Sequence, residues 1–125
     1  MQFILPNFEY KKMHELSVAM GIVKIAENET KKANARIVES IELEIGTLAG
    51  IEFEALDFVW PSAVKDTVLE HAIKKTTIIQ GKAKCIDCDT VFDIDNFYDA
   101  CPKCNSFLKG ILKGKELRVK ALEVS

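Results

Sequence analysis

The sequence of 125 residues contains no apolar run that approaches the ~18 residues needed to cross a bilayer. It also begins without the basic segment and long apolar stretch of a secretory signal. We therefore expect a cytoplasmic protein with no membrane partner, in a reducing compartment where free thiols persist. Nucleophile-elbow, phosphate-binding-loop and HExxH patterns are missing too, which argues against a hydrolytic enzyme.

Positive charge is not in excess. The 17 Lys and Arg residues face 19 Asp and Glu residues, for a formal net charge of -2. Nucleic-acid binding depends on clustered Lys and Arg, so we predict no nucleic-acid partner. Residues 1–70 carry -5 and residues 71–125 carry +3. Each part could face a partner of opposite sign, although solvated surface charge explains most of these residues.

Cysteine is rare, and all four copies stand in two pairs, Cys85-Ile86-Asp87-Cys88 and Cys101-Pro102-Lys103-Cys104. Two residues between paired thiols let both sulfurs face one point in a tight turn, and two such turns supply a closed tetrahedral site. Asp89 and Asn105 follow the pairs, and both residue types tolerate the left-handed backbone that these turns need. The spacing predicts a zinc ribbon with Cys85, Cys88, Cys101 and Cys104 as ligands.

Other chemistries remain open for the same four thiols. Two disulfides conflict with a reducing location, and a single redox CxxC would leave the second pair unexplained. Iron in the four-sulfur cage, as in a rubredoxin, is compatible with the ligand set, and colour would separate it from zinc. A lobe this small needs its metal. We expect nearby aromatic side chains to wall it: Phe92, Phe97, Tyr98 and Phe107.

Helical periodicity occurs twice. After His14 the apolar residues recur at helical spacing: Leu16, Ala19, Met20, Val23 and Ala26. This pattern predicts an amphipathic helix of about five turns that ends at Asn34, with Met20 and Ile22 in the core. A second helix is predicted from Phe53, Leu56, Trp60 and Val64, with a kink near Pro61.

Strand patterns occupy most of the remaining sequence. Residues 36–45 alternate apolar and acidic side chains, as in a strand with one covered face. Residues 73–85 are rich in Thr and Ile and are predicted to form a strand that leads into the first cysteine pair. Residues 107–112 and 116–124 are predicted strands, with a bulge at Ala121-Leu122.

These elements indicate an α+β fold, with a small three-stranded sheet, two helices and an inserted zinc-ribbon lobe. Three units follow from this division. Residues 1–12 form an N-terminal extension, residues 13–82 with 115–125 form the α/β domain, and residues 83–114 form the zinc-ribbon domain.

Met13-His14-Glu15-Leu16-Ser17 opens the first helix, where an imidazole and a carboxylate meet free backbone amides. Such a pair could hold a borderline divalent ion such as nickel, although at a helix start it is more often solvated. From residue 13 onward the chain resembles the HypA/HybF family of hydrogenase nickel-incorporation proteins. The resemblance rests on that motif together with Glu42-Leu43-Glu44-Ile45-Gly46, Phe58-Val59-Trp60, Gly81-Lys82-Ala83-Lys84-Cys85 and Glu116-Leu117-Arg118-Val119.

The resemblance implies a nickel metallochaperone that is not an enzyme. Structural zinc would lie in the ribbon, and nickel would bind as transient cargo at His14, with Glu15 in support and Glu52 as an additional acidic contact. The implied partners are a HypB-type GTPase and the large subunit of nickel-iron hydrogenase, and urease accessory proteins in some organisms. The remaining histidine, His71, is predicted to be an ordinary surface residue.

The family motif stands at the amino terminus, where the terminal amine contributes to a flat nickel site. Here twelve residues precede Met13. We therefore expect Met13 to be the physiological start, through internal initiation or an over-extended reading frame. Two other classes remain as alternatives, a rubredoxin-like electron carrier and a zinc-ribbon adaptor for nucleic acid. Five aspartates around the ribbon speak against the adaptor: Asp87, Asp89, Asp93, Asp95 and Asp99.

Overall fold

A computed structural model describes residues 3–4 and 15–125 of the chain, so His14 lies outside the described residues. The two helices are α1 (Glu15–Lys32) and α2 (Phe53–Val64). The strands are β1 (Phe3–Ile4), β2 (Val38–Gly46), β3 (Ile73–Ile79), β4 (Lys82–Cys85), β5 (Val91–Asp93), β6 (Lys109–Lys113) and β7 (Leu117–Val124).

Helix α1 confirms the first predicted helix and packs along α2. Its buried stripe consists of Val18, Ala19, Ile22, Val23 and Ala26. The prediction that Met20 belongs to the core is wrong, because Met20 is 54% exposed. At 3.6 residues per turn it lies beyond the stripe that Val18, Ile22 and Ala26 define. The helix ends as predicted near Asn34, whose φ of 55° is left-handed.

Strands β2, β3 and β7 form the main sheet, in the order β1-β7-β2-β3. Strand β3 pairs parallel to β2 after the crossover through α2, and β7 pairs antiparallel to β2 on its other side. Strand β2 lies between β3 and β7, whereas β4 and β6, at the two ends of the insertion, pair with each other in the ribbon sheet. The fourth strand is β1, which adds two residues to the outer edge of β7.

Local irregularities in the main sheet and α2 agree with the sequence-based expectations only in part. The pairing of β2 with β7 shifts register between Glu42 and Leu43, so that the extra residue on β7 is Lys120, next to the predicted bulge. Helix α2 continues through Pro61. Ile37 lies outside β2 and is 50% exposed, so the first residues of the predicted strand do not belong to the sheet.

The single strand predicted over residues 73–85 divides into β3 and β4, which belong to different sheets. The break falls at Gln80-Gly81, where the chain passes from the main sheet to the ribbon sheet β5-β4-β6. A Cβ on Gly81 would lie 2.6 Å from the Ile94 carbonyl oxygen, so this crossing requires glycine. The Gly81 amide donates to the Thr47 hydroxyl at 2.9 Å.

Two separate apolar clusters stabilise the two sheets. The larger one lies between the helices and the main sheet and includes Ile41, Leu43, Ile45, Leu56 and Trp60. The ribbon cluster contains Leu48, Ala83, Cys85, Phe92, Ile94 and Cys101. Only Phe92 of the four expected wall aromatics is buried; Phe97, Tyr98 and Phe107 are at least half exposed, so that prediction is wrong for them. Leu48, from the loop after β2, fills the space instead.

Among residues 3–4 and 15–125, no helix is both long enough and apolar enough to span a membrane.

Candidate metal centres

The two cysteine turns have the same backbone geometry. In the first, the Cys85 carbonyl accepts from the Asp89 amide at 3.0 Å, and the Cys85 amide donates to the Thr90 carbonyl at 2.8 Å. In the second, Cys101 makes the equivalent bonds with Asn105 and Ser106, both at 2.8 Å. Asp89 and Asn105 have φ values of 61° and 63°, which confirms the left-handed positions expected from the sequence.

All four sulfurs lie within 4.8 Å of one another. Cys85 Sγ is 3.5 Å from Cys104 Sγ, and Cys88 Sγ is 3.6 Å from Cys101 Sγ. A tetrahedral zinc ion with Zn–S bonds of about 2.3 Å would separate its sulfurs by about 3.8 Å. The sulfurs are therefore spaced for a shared tetrahedral cation, and the four cysteines form no disulfide.

The four thiols differ in their surroundings. Cys85 and Cys101 are buried, whereas Cys104 is exposed. Hydrogen bonds from the Thr90 hydroxyl and amide lower the pKa of Cys88 to about 6. The Ser106 amide acts to lower the pKa of Cys104, but its contacts with the other thiols and its desolvation outweigh this and raise the pKa to about 12. Thiolate is the form that binds metal, so the lowered pKa favours the binding form of Cys88 near neutral pH.

Side chains beyond the ligands connect the two turns. The Ser106 hydroxyl donates to Asp87 Oδ2 at 2.5 Å and accepts from the Leu108 amide at 3.1 Å. The Ile86 amide donates to the Leu108 carbonyl at 2.9 Å. These bonds tie the first turn to the chain leaving the second, which fixes the ligands relative to each other.

Of the predicted nickel residues, the structure describes Glu15 and Glu52, which lie at the starts of α1 and α2. Glu15 is half-buried at the first position of α1, directly after the undescribed His14. Its carboxylate Oε2 accepts from the Glu52 backbone amide at 3.2 Å. Glu52 precedes α2, and its exposed side chain makes no capping bond to that helix. The structure therefore brings the Glu15 carboxylate to the backbone of Glu52, at the first residue of α1.

Comparison with known proteins gives a consistent result over this same span. A family model described as "Hydrogenase/urease nickel incorporation, metallochaperone, hypA" matches residues 13–124. The chain belongs to the HypA family. A hydrogenase maturation factor HypA from Parabacteroides distasonis is 45% identical over 112 residues, which cover 90% of this chain and 97% of that protein. One from Francisella philomiragia subsp. philomiragia is 39% identical over 110 residues, covering 88% and 97%.

A solved HypA structure agrees with this assignment. The solution structure of the nickel metallochaperone HypA from Helicobacter pylori superposes with a TM-score of 0.63 at 27% identity. The match covers 90% of this chain and 97% of that one. HypA proteins are metallochaperones for hydrogenase maturation rather than enzymes, so the chain is a nickel metallochaperone of this class. The electron-carrier and nucleic-acid-adaptor alternatives are thereby set aside.

Sequence reasoning missed two residues at the ribbon site. Thr90 follows the first turn and hydrogen-bonds Cys88 Sγ with an S···O distance of 3.1 Å. A hydroxyl two residues after a ligand is a signal that could have been used, because such groups commonly stabilise thiolates. Leu48 lies 37 residues before Cys85 in sequence, and only the folded chain reveals that it packs against the ribbon core.

Proposed function

We propose that the protein carries nickel at His14, supported by the Glu15 carboxylate and with Glu52 as an additional acidic contact, while zinc in the Cys85, Cys88, Cys101 and Cys104 cage is structural. Delivery takes place in the cytoplasm, together with a HypB-type GTPase, to the large subunit of nickel-iron hydrogenase. Urease accessory proteins are further candidate recipients. The nickel-binding domain comprises residues 13–82 with 115–125, and the zinc domain comprises residues 83–114.

The observation that carries the nickel assignment is the 3.2 Å contact between the Glu15 carboxylate and the Glu52 amide. Because this contact holds the start of α1 against the start of α2, two acidic residues lie next to each other directly after His14 in the sequence. Imidazole nitrogen is a ligand that suits nickel(II). A site of few, exposed ligands releases its ion readily, as a carrier requires, whereas four clustered thiolates retain theirs.

The chain offers a matched control for the nickel experiment, because it has only two histidines. His71 is 89% exposed on its side chain, and its Nε2 lies 3.6 Å from the Glu70 carboxylate. Isothermal titration with nickel should show that the affinity of His14→Ala for nickel is lower on the order of tenfold or more, because the imidazole ligand is lost. His71→Ala should bind like the parent. Equal affinity of His14→Ala and the parent would refute the assignment.

Zinc in the cage is tested separately by elemental analysis. Protein purified without added metal should contain one zinc per chain and no visible absorbance from iron. Substitution of Cys104 by Ser should lower the zinc content while leaving nickel titration at His14 intact. Iron in the purified protein, or nickel bound at the four sulfurs, would contradict the proposed division between the two metals.

A further inference from the structure

A pocket of about 280 Å³ opens at the junction of the ribbon and the main sheet, and neither the four cysteines nor Glu15 and Glu52 belong to its lining. It lies where β6 leads into β7, and its lining is formed by Ile111, Leu112, Lys113, Lys115, Glu116 and Arg118. Small-molecule sites usually enclose about 300–1,000 Å³. The pocket is therefore at the lower limit of that range and suits a side chain or two of a larger partner.

The charge of the pocket is unbalanced. Glu116 is engaged, because its carboxylate accepts from the Gly114 amide at 2.8 Å. Arg118 is paired with Glu44 on the neighbouring strand. Lys113 and Lys115 are exposed, and neither forms an ion pair with an acidic side chain among residues 15–125. Within the described part of the chain, two cations on the rim are thus without an acidic partner.

These two lysines differ from most others nearby. Lys82 and Lys84 on the adjacent strand contact Asp93 and Asp89, at 2.5 Å and 4.0 Å. Lys120 on β7 lies 3.7 Å from Glu42 and 3.6 Å from Glu44. These three lysines are therefore paired within the fold, whereas Lys113 and Lys115 have no acidic partner among residues 15–125.

Apolar surface and a strand edge accompany the charge. Leu112 is 56% exposed on β6, at the position where β4 and β6 shift register. Strand β6 is an edge of the ribbon sheet, and within the described residues its outer side pairs with no strand. Phe97 is half exposed and lies under Lys115, with the Lys115 Nζ 5.7 Å from the ring centroid. An open strand edge can accept an extended segment through main-chain hydrogen bonds.

We propose that this pocket, the β6–β7 pocket, docks an extended acidic segment of a partner protein. The segment lies along β6, inserts one apolar side chain against Ile111 and Leu112, and places carboxylates on Lys113 and Lys115. The free charge on the rim selects an acidic occupant, and the unpaired strand edge selects an extended one. The proposal is independent of the nickel site, and its test requires no nickel.

The test uses a fluorescein-labelled peptide of about nine residues, with one central Leu flanked on both sides by Asp and Glu. Fluorescence anisotropy with the full chain should show binding that weakens as salt rises, because carboxylate–lysine contacts are screened. Backbone amide shifts on binding should concentrate in residues 109–118. A peptide with Lys and Arg in place of the acids should not bind, and replacing the Leu by Gly should weaken binding.

Charge reversal locates the site. The Lys113→Glu/Lys115→Glu variant should bind the acidic peptide on the order of tenfold more weakly or worse. Lys24→Glu/Lys31→Glu makes the same charge change at exposed positions on α1 and should bind like the parent. Equal weakening in both variants, or amide shifts spread outside the pocket, would overturn the proposal. The proposal would also be overturned if the chain formed dimers and the Lys113→Glu/Lys115→Glu variant did not, because the pocket would then hold a second copy of the chain.

Discussion

The ribbon and the start of α1 contrast in how they could hold an ion. In the ribbon, four sulfurs converge within 4.8 Å, two of their residues are buried, and both turns are closed by matching hydrogen bonds. At α1, a half-buried carboxylate contacts one backbone amide near an exposed second carboxylate. The ribbon sulfurs are clustered and held by several hydrogen bonds, whereas the second, proposed group of ligands is sparse and open.

Under the proposed function, this difference lets one small protein keep one metal and release another. Retention follows from ligand number, charge and burial, because each thiolate adds a bond that must be broken for the ion to leave. Release follows from exposure, because water can replace a ligand at little cost. The two regions are joined by the loop after β2, which places Leu48 in the ribbon core and Glu52 beside Glu15.

The largest effect is expected from removing a buried ribbon ligand. Cys101→Ala should release zinc and unfold the ribbon, since structural zinc binding contributes about 10–16 kcal/mol in small zinc domains. The two helices and the main sheet should remain folded, because their apolar core is separate from that of the ribbon. Elemental analysis and amide spectra measure both effects. Lys103→Ala, an exposed change inside the same turn, is the control, and loss of zinc there would contradict the argument.

The next effect concerns the junction between the main sheet and the ribbon. A Cβ on Gly46 would lie 1.9 Å from the Gly114 carbonyl oxygen, which belongs to backbone that cannot move aside. We expect Gly46→Ala to lower the free energy of unfolding by about 3 kcal/mol. Gly110→Ala is the matched control, because no atom lies within 4 Å of its Cβ position. Denaturant unfolding should show a clearly lower midpoint for Gly46→Ala than for Gly110→Ala. Similar midpoints would contradict the close approach of Gly46 and Gly114.

A smaller effect is expected at the start of α1. Glu15→Ala removes the carboxylate that accepts from the Glu52 amide, so it should cost about 1 kcal/mol, as for a lost helix cap. The proposed nickel affinity should fall as well, by less than in His14→Ala. Glu54→Ala, in the first turn of α2, changes the same charge without removing that contact. If Glu54→Ala weakened nickel binding as much as Glu15→Ala, a general loss of negative charge would explain the result.

The smallest effect is expected within the ribbon, at the turn of residues 95–99. The Asp95 amide donates to Asp99 Oδ2 at 2.8 Å, and this bond, with that from Asn96, lowers the pKa of Asp99 below its ordinary value of 3.8. The bonds therefore stabilise the turn fully above that value and are lost only as the pH falls through the lowered pKa. At neutral pH, Asp99→Asn should speed hydrogen exchange at Asp95 and leave zinc content unchanged. Unchanged exchange would contradict the assigned bond.

Local rules allowed much of the fold to be predicted from the sequence. The spacing of the cysteines and the residue types at Asp89 and Asn105 specify the turns, because these constraints act over five residues. The span of α2 followed from apolar periodicity, and the stop of α1 from Asn34. These features depend on residues that are close in sequence, so a single sequence is enough to predict them.

The parts that were missed depend on contacts between distant residues. Periodicity alone could not show that β3 ends at Ile79, because Gly81 is forced by the Ile94 carbonyl, and Thr and Ile favour a strand on both sides. Exposed Phe97 and Phe107 resemble core residues until Leu48 is seen to occupy the space. The candidate nickel site remains a prediction from the motif, since His14 lies outside the described residues.

The contrast between the two regions is tested most directly by chelator competition on protein loaded with both metals. After exposure to increasing EDTA, metal analysis should show nickel leaving well before zinc, and His14→Ala should retain zinc while losing nickel at a lower EDTA concentration than the parent. Loss of zinc at the same chelator concentration as nickel, or nickel held by His14→Ala as firmly as by the parent, would contradict the account.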